Sequence, residues 1–98
     1  MTEGGAPVLC RTVVITNKLG LHARAAAKFV TLAERFGASV EVVRDGEPPV
    51  SARSIMGLMM LGASKGCQLE LRAEGWDAKE ALDALSELIE SGFNERDT

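Results

Sequence analysis

The chain has 98 residues, 46% of them apolar and only 4% aromatic, with a formal net charge of −3. This describes one domain with a thin aliphatic core; the charge argues against general nucleic-acid binding, and no apolar run reaches the length of a membrane span. Cys10 and Cys67 are too few and too far apart for a disulfide framework, and no ligand-pair spacing joins them to the single histidine as a metal site.

The first residues carry an acid and two glycines where a signal peptide would be basic, then apolar, so a cytoplasmic protein with reduced thiols is expected. A strand is expected over 8–16, dense in β-branched residues, with Val13 and Ile15 on one face. Asn17-Lys18-Leu19-Gly20 forms a loop. Over 23–36 the apolar positions Ala26, Phe29, Val30 and Ala33 recur at helical spacing, with Arg24, Lys28, Thr31 and Arg35 opposite and Gly37 as the stop. A second strand over 39–44 turns inward Val40 and Val42. Asp45-Gly46 then signals a tight hairpin into a short strand over 50–52, which Pro48-Pro49 confines to an edge.

Ser54 stands where it can cap a brief helix over 55–61. The segment 67–74 alternates Leu69, Leu71 and Ala73 against polar neighbours, the mark of a strand with one wet face. Asp77 and Glu80 stand at capping-box positions of a last helix. Leu82, Leu85, Leu88 and Ile89 form its buried stripe, Gly92 ends it, and the chain is expected to be loose beyond Phe93. One domain over 1–98 follows, with an ordered core of about 8–93. Strands with a polar face imply an antiparallel sheet covered by helices on one side, an α+β fold.

His22 is the only histidine in the chain. It follows Gly20, which permits a sharp turn, and precedes a helix whose first amides lack backbone partners and carry partial positive charge. Imidazole adds a nucleophilic nitrogen, and Arg24 a fixed charge for phosphate oxygens. The neighbourhood is basic: between Gly4 and Ala33 there are Arg11, Lys18, Arg24 and Lys28 but no acid, which suits an anionic ligand or acidic partner. The plain alternative is a surface or capping histidine. For Ser54 it is a cap alone. For Met56, Met59 and Met60 core filler and an adaptable contact patch stand equal. No acid lies close to His22 in sequence.

The run Asn17-Lys18-Leu19-Gly20-Leu21-His22-Ala23-Arg24 resembles the active-site segment of HPr, the histidine-containing phosphocarrier family of the bacterial phosphotransferase system. Ser54-Ile55-Met56-Gly57-Leu58 is similar to the segment around that family's regulatory serine. The resemblance runs from about Leu9 to Phe93. Ile15-Thr16-Asn17-Lys18-Leu19-Gly20, Ala63-Ser64-Lys65-Gly66 and Ser91-Gly92-Phe93 resemble its nitrogen-related branch, NPr. Ala25 departs from the family's usual proline, which leaves the helix start in place but bears on its fine geometry.

The resemblance implies an open-faced sandwich: a four-stranded antiparallel sheet with three helices on one face, in the order strand-helix-strand-strand-helix-strand-helix. It implies a monomeric carrier with no cofactor and no metal, not an enzyme. His22 would accept a phosphoryl group on Nδ1 from Enzyme I and pass it to an Enzyme IIA-type protein. The backbone amides of Ala23 and Arg24 and the Arg24 side chain would hold the phosphate. Ile55, Met56, Met59 and Lys28 would serve docking, and Ser54 would be a control site for HPr kinase/phosphorylase. Two rivals remain: a regulator of the same fold that carries no phosphate, and a small enzyme using His22 as a general base.

Overall fold

The computed structural model describes residues 7–95. Seven elements follow one another: β1 (Leu9–Val14), α1 (Ala23–Ala33), β2 (Ser39–Arg44), β3 (Val50–Ser51), α2 (Ile55–Met60), β4 (Gln68–Glu74) and α3 (Ala78–Glu90). The strands form one antiparallel sheet in the order β1-β4-β2-β3. β4 occupies the centre because its two neighbours both need it: Leu71 faces Arg11 on β1 and Val42 on β2.

Alternation decides which face is covered. Val13, Val40, Val42, Leu69, Leu71 and Ala73 turn to one side and are buried, and Ile15 continues that side beyond β1. The helices supply the other half of the core: Ala25, Ala26, Phe29, Val30 and Ala33 from α1, Leu58 from α2, and Ala81, Leu82, Leu85, Leu88 and Ile89 from α3. Each fully buried Val, Leu, Ile or Phe contributes about 1.5–3 kcal/mol by leaving water. The opposite face of the sheet, with Thr12, Val14, Glu41 and Gln68, stays exposed. This is the α+β architecture that the element order predicts.

Several local expectations change. β1 is shorter than 8–16, because Ile15 leaves the ladder to exchange bonds with the loop before β4: its amide donates to Cys67 O (2.9 Å) and its carbonyl accepts from Gly66 (2.8 Å). Cys67 therefore precedes β4 instead of opening it. Asp45-Gly46 does turn the chain, with Gly46 at φ 84° and Glu47 N–H donating to Arg44 O at 2.9 Å. The hairpin is not tight, however: β2–β3 pairing starts at Val42↔Val50, since Pro48-Pro49 cannot extend the ladder.

α1 ends at Ala33, and Gly37 does not stop it with a left-handed residue. A side chain at Gly37 would meet the Trp76 ring, its Cβ falling 2.7 Å from Nε1. Asp77 precedes α3 but its carboxylate makes no cap bond. It reaches across the fold instead, accepting from Gly37 N–H (2.9 Å) and Ala38 N–H (2.8 Å), and so staples the start of α3 to the turn before β2.

α3 ends as expected at Gly92, φ 69°, with Phe93 N–H donating to Leu88 O (2.8 Å) and Gly92 N–H to Ile89 O (3.0 Å). That closure satisfies two terminal carbonyls and turns Phe93 into the core, where it is fully buried. Beyond it, where the sequence predicts a loose end, Glu95 is hydrogen-bonded to Asn17 and His22.

Candidate functional site

The site begins with a backbone constraint. Gly20 adopts φ 68°, and a Cβ there would lie 2.5 Å from Ala63 O. Only glycine fits both the left-handed angle and the close approach. Leu21 N–H then donates to Ala63 O (2.9 Å), which locks the loop before α1 onto the loop after α2. His22 N–H folds back to Gly20 O (2.9 Å), and its carbonyl accepts the first helical bond, from Ala26 (2.8 Å).

His22 is thus the N-cap residue of α1, and its side chain makes no cap bond to that helix. The amides of Ala23 and Arg24, in the first turn, are the orphan donors of a helix start. Both residues are exposed. The first turn itself contributes no acid. Ala25, in the family's proline position, is buried in the helix interior face, and the helix starts at Ala23 without the proline.

The ring of His22 is about a quarter exposed, 26% by side-chain area. Its Nε2 lies 2.5 Å from Glu95 Oε2. Asn17, with no exposed surface, donates from Nδ2 to Gly20 O (2.8 Å) and to Glu95 Oε1 (3.1 Å). Glu95 has its pKa lowered. Burial pushes it up, but the hydrogen bonds from His22 and Asn17 and the charges of His22 and Lys28 together outweigh that. An ionised carboxylate can only accept, so the bond puts a hydrogen on Nε2, and whenever the ring is neutral its lone pair is then on Nδ1. The same logic, a carboxylate setting a histidine's tautomer, governs many functional imidazoles.

The other expected site residues fall on two sides of this centre. Arg24 is exposed and makes no hydrogen bond or ion pair among the described residues. It lies with Lys28, Thr31, Arg35 and Asn94 along a groove of about 440 Å³ between α1 and α3. Lys28 is less free than the sequence suggests: its Nζ donates to Phe93 O at 2.7 Å, holding the turn that carries Glu95.

Ser54 is the cap of α2, its Oγ accepting from Gly57 N–H at 2.9 Å. Of α2 only Leu58 is buried. Ile55 (41% exposed), Met56 (68%), Met59 (39%) and Met60 (80%) face outward, so the methionines are surface and not core filler. Leu19, in the loop before His22, is exposed as well.

Sequence reasoning missed Asn17 and Glu95. It read Asn17 as a loop residue, and found no acid near His22 because Glu95 lies 73 positions away.

Comparison with known proteins decides the family. A family model described as "PTS HPr component phosphorylation site" matches residues 9–91. The chain belongs to the HPr family. It is 54% identical over 83 residues to phosphocarrier protein HPr of Pseudomonas aeruginosa, covering 85% of this chain and 92% of that protein. It is 47% identical over 85 residues to phosphocarrier protein NPr of Shewanella violacea, covering 87% and 92%. Among solved structures, HPr of Thermoanaerobacter tengcongensis matches at 49% identity and TM-score 0.84 over 90% of this chain and 98% of that one. HPr of Bacillus anthracis matches at 41% and 0.79, over 84% and 96%. The chain is therefore an HPr phosphocarrier of the phosphotransferase system, and the open-faced sandwich with three helices is the HPr fold.

Proposed function

We propose that His22 is the phosphoryl acceptor of this HPr protein. Phosphorylated Enzyme I presents the group, a phosphorus–nitrogen bond forms at Nδ1 as the bond to the donor breaks, and an Enzyme IIA-type protein later takes it by the reverse process. One observation carries the reading: the sole histidine stands at the N-cap of α1 without a side-chain bond to its first turn, and its Nε2 is already engaged by Glu95. The lone pair on Nδ1 is thereby left for phosphorus.

The amides of Ala23 and Arg24 bind the incoming oxygens. The Arg24 guanidinium, without a partner of its own among the described residues, neutralises charge as it shifts during transfer. The Glu95 carboxylate balances the positive character that a substituted ring acquires. No metal or organic cofactor has a role in these steps. Docking falls to the apolar surface of Ile55, Met56 and Met59, with Arg24 and Lys28 contributing charge, Lys28 also holding the turn at Phe93. A carrier that must release its partner after each transfer suits a modest, transient interface.

Ser54 is a control site in this reading. A phosphate there adds nearly two negative charges beside the docking patch and repels an acidic partner, the role that HPr kinase/phosphorylase would exploit. The segments around residues 15–20 and 63–66, with the likeness to the Shewanella NPr, support placement in the nitrogen-related branch.

The test is direct. Protein mixed with phosphoenolpyruvate and Enzyme I is weighed intact before and after acid. An acid-labile phosphoryl adduct, absent from His22→Ala, is the expected result. Absence of any adduct would sink the carrier reading and leave a binding regulator, whereas turnover of a small substrate would indicate an enzyme.

A further inference from the structure

The Glu95 carboxylate does not reach His22 by local structure. Phe93 and Asn94 both adopt left-handed angles, φ 58° and 61°, a conformation that non-glycine residues hold only when the surroundings over-determine it. Three anchors do so. The Phe93 ring is buried in the core, Lys28 Nζ binds Phe93 O, and Asn17 Nδ2 binds Glu95 Oε1. Of these, only Asn17 touches the carboxylate that His22 uses.

Asn17 is itself an expensive choice for stability. It is wholly buried, and its Oδ1 has no hydrogen-bond partner among the described residues. A buried carbonyl left unpaired is destabilising. What the residue gives in return is its Nδ2, whose two hydrogens go to Gly20 O and Glu95 Oε1. One amide therefore joins the loop that aims the His22 backbone to the carboxylate that aims its ring. Thr16 reinforces the same junction, its Oγ1 donating to Ile89 O at 3.3 Å at the end of α3.

We propose that Asn17 is a positioning residue for phosphoryl transfer: by bridging Gly20 and Glu95 it fixes the carboxylate that pins Nε2 of His22, and so holds Nδ1 toward the phosphoryl donor. This rests on His22 being the acceptor.

The experiment is a double-mutant cycle on the full chain with Asn17→Ala, Glu95→Ala and both. Two quantities are read: solvent exchange of the His22 Nε2–H proton by NMR on the unphosphorylated protein, and kcat and KM for acceptance from phosphorylated Enzyme I. Asn17→Ala is expected to speed proton exchange and lower kcat by about threefold to tenfold, as the loss of one buried hydrogen bond implies, with KM unchanged. In the Glu95→Ala background the same substitution is expected to have a clearly smaller effect on both, the part that the bond to Gly20 O carries.

An effect of equal size in both backgrounds, or none in the wild-type background, overturns the proposal. If alanine at 17 prevents folding, Asn17→Asp makes the same test. It keeps the shape, cannot donate to Glu95 and repels it, so a wild-type rate and exchange there would also overturn the proposal. Lack of any phosphoryl adduct on the wild type would refute the carrier reading alone, since proton exchange still decides the role of Asn17.

Discussion

Two helix starts in this molecule are built in opposite ways. α2 seals its own end: Ser54 Oγ takes the Gly57 amide at 2.9 Å, and a side chain at Gly57 would intrude on that contact, its Cβ falling 2.9 Å from Ser54 Oγ. α1 leaves its end open, with a histidine at the cap that makes no bond to the first turn. The histidine turns away instead, to Glu95. A capped end is satisfied and gains about 1 kcal/mol. An open one keeps free amides and partial positive charge for something outside the chain. The loop before α1 is in turn bonded to the loop after α2, Leu21 N–H donating to Ala63 O at 2.9 Å.

The largest blow to this contrast is Gly20→Ala. The open end depends on a chain that turns sharply against Ala63, and a methyl group there meets both an unfavourable left-handed angle and a carbonyl oxygen at 2.5 Å. A loss of about 2–3 kcal/mol is expected, read as a lower urea midpoint with little change in slope. If stability hardly moved, the loop would not be a rigid mount for His22.

Ser54→Ala comes next and sharpens the comparison. It should cost about 1 kcal/mol by unsealing α2, again by urea unfolding, while phosphoryl acceptance at His22 proceeds at the wild-type rate. Ser54→Asp keeps an acceptor at the cap and adds charge, so it should retain the stability and slow acceptance from Enzyme I. A wild-type rate for the aspartate variant would remove the electrostatic account of Ser54.

What could be read from the sequence and what could not divide along the range of the interactions. The alternation of β4, the stripe of α3, the Ser54 cap and the place of His22 before α1 depend on residues a few positions apart, and local periodicity reports them. Asp77 was legible as an acid before a helix, but the amides it binds are those of Gly37 and Ala38, 40 and 39 positions away; a capping pattern cannot show that tertiary bonds have outcompeted the local one. Glu95 was hidden for the same reason. It reaches His22 through left-handed angles at Phe93 and Asn94; Asn tolerates such an angle, but Phe gives no sign of it. The unpaired buried carbonyl of Asn17 is invisible until its surroundings exist.

The smallest expected effect concerns the open end's carboxylate partner. Glu95 is faced by His22, Asn17 and Lys28, and their bonds and charges hold its pKa below the ordinary 4.5 despite the opposing effect of burial. The folded state therefore binds fewer protons than the unfolded state as the pH passes through that region. The contribution of this contact is complete above the unfolded pKa and is lost as the pH falls through the lower, folded one. Asp83 is lowered too, by hydrogen bonds to Lys79 and Arg11, so global acid unfolding would mix the two groups. The side-chain carboxyl carbon of Glu95, followed by NMR through an acid titration, separates them. Its midpoint should lie below that of an exposed glutamate, and should rise in Asn17→Ala. A Glu95 that titrates as an ordinary surface carboxylate would mean that the histidine is not held at Nε2, and that both helix starts differ only in their caps.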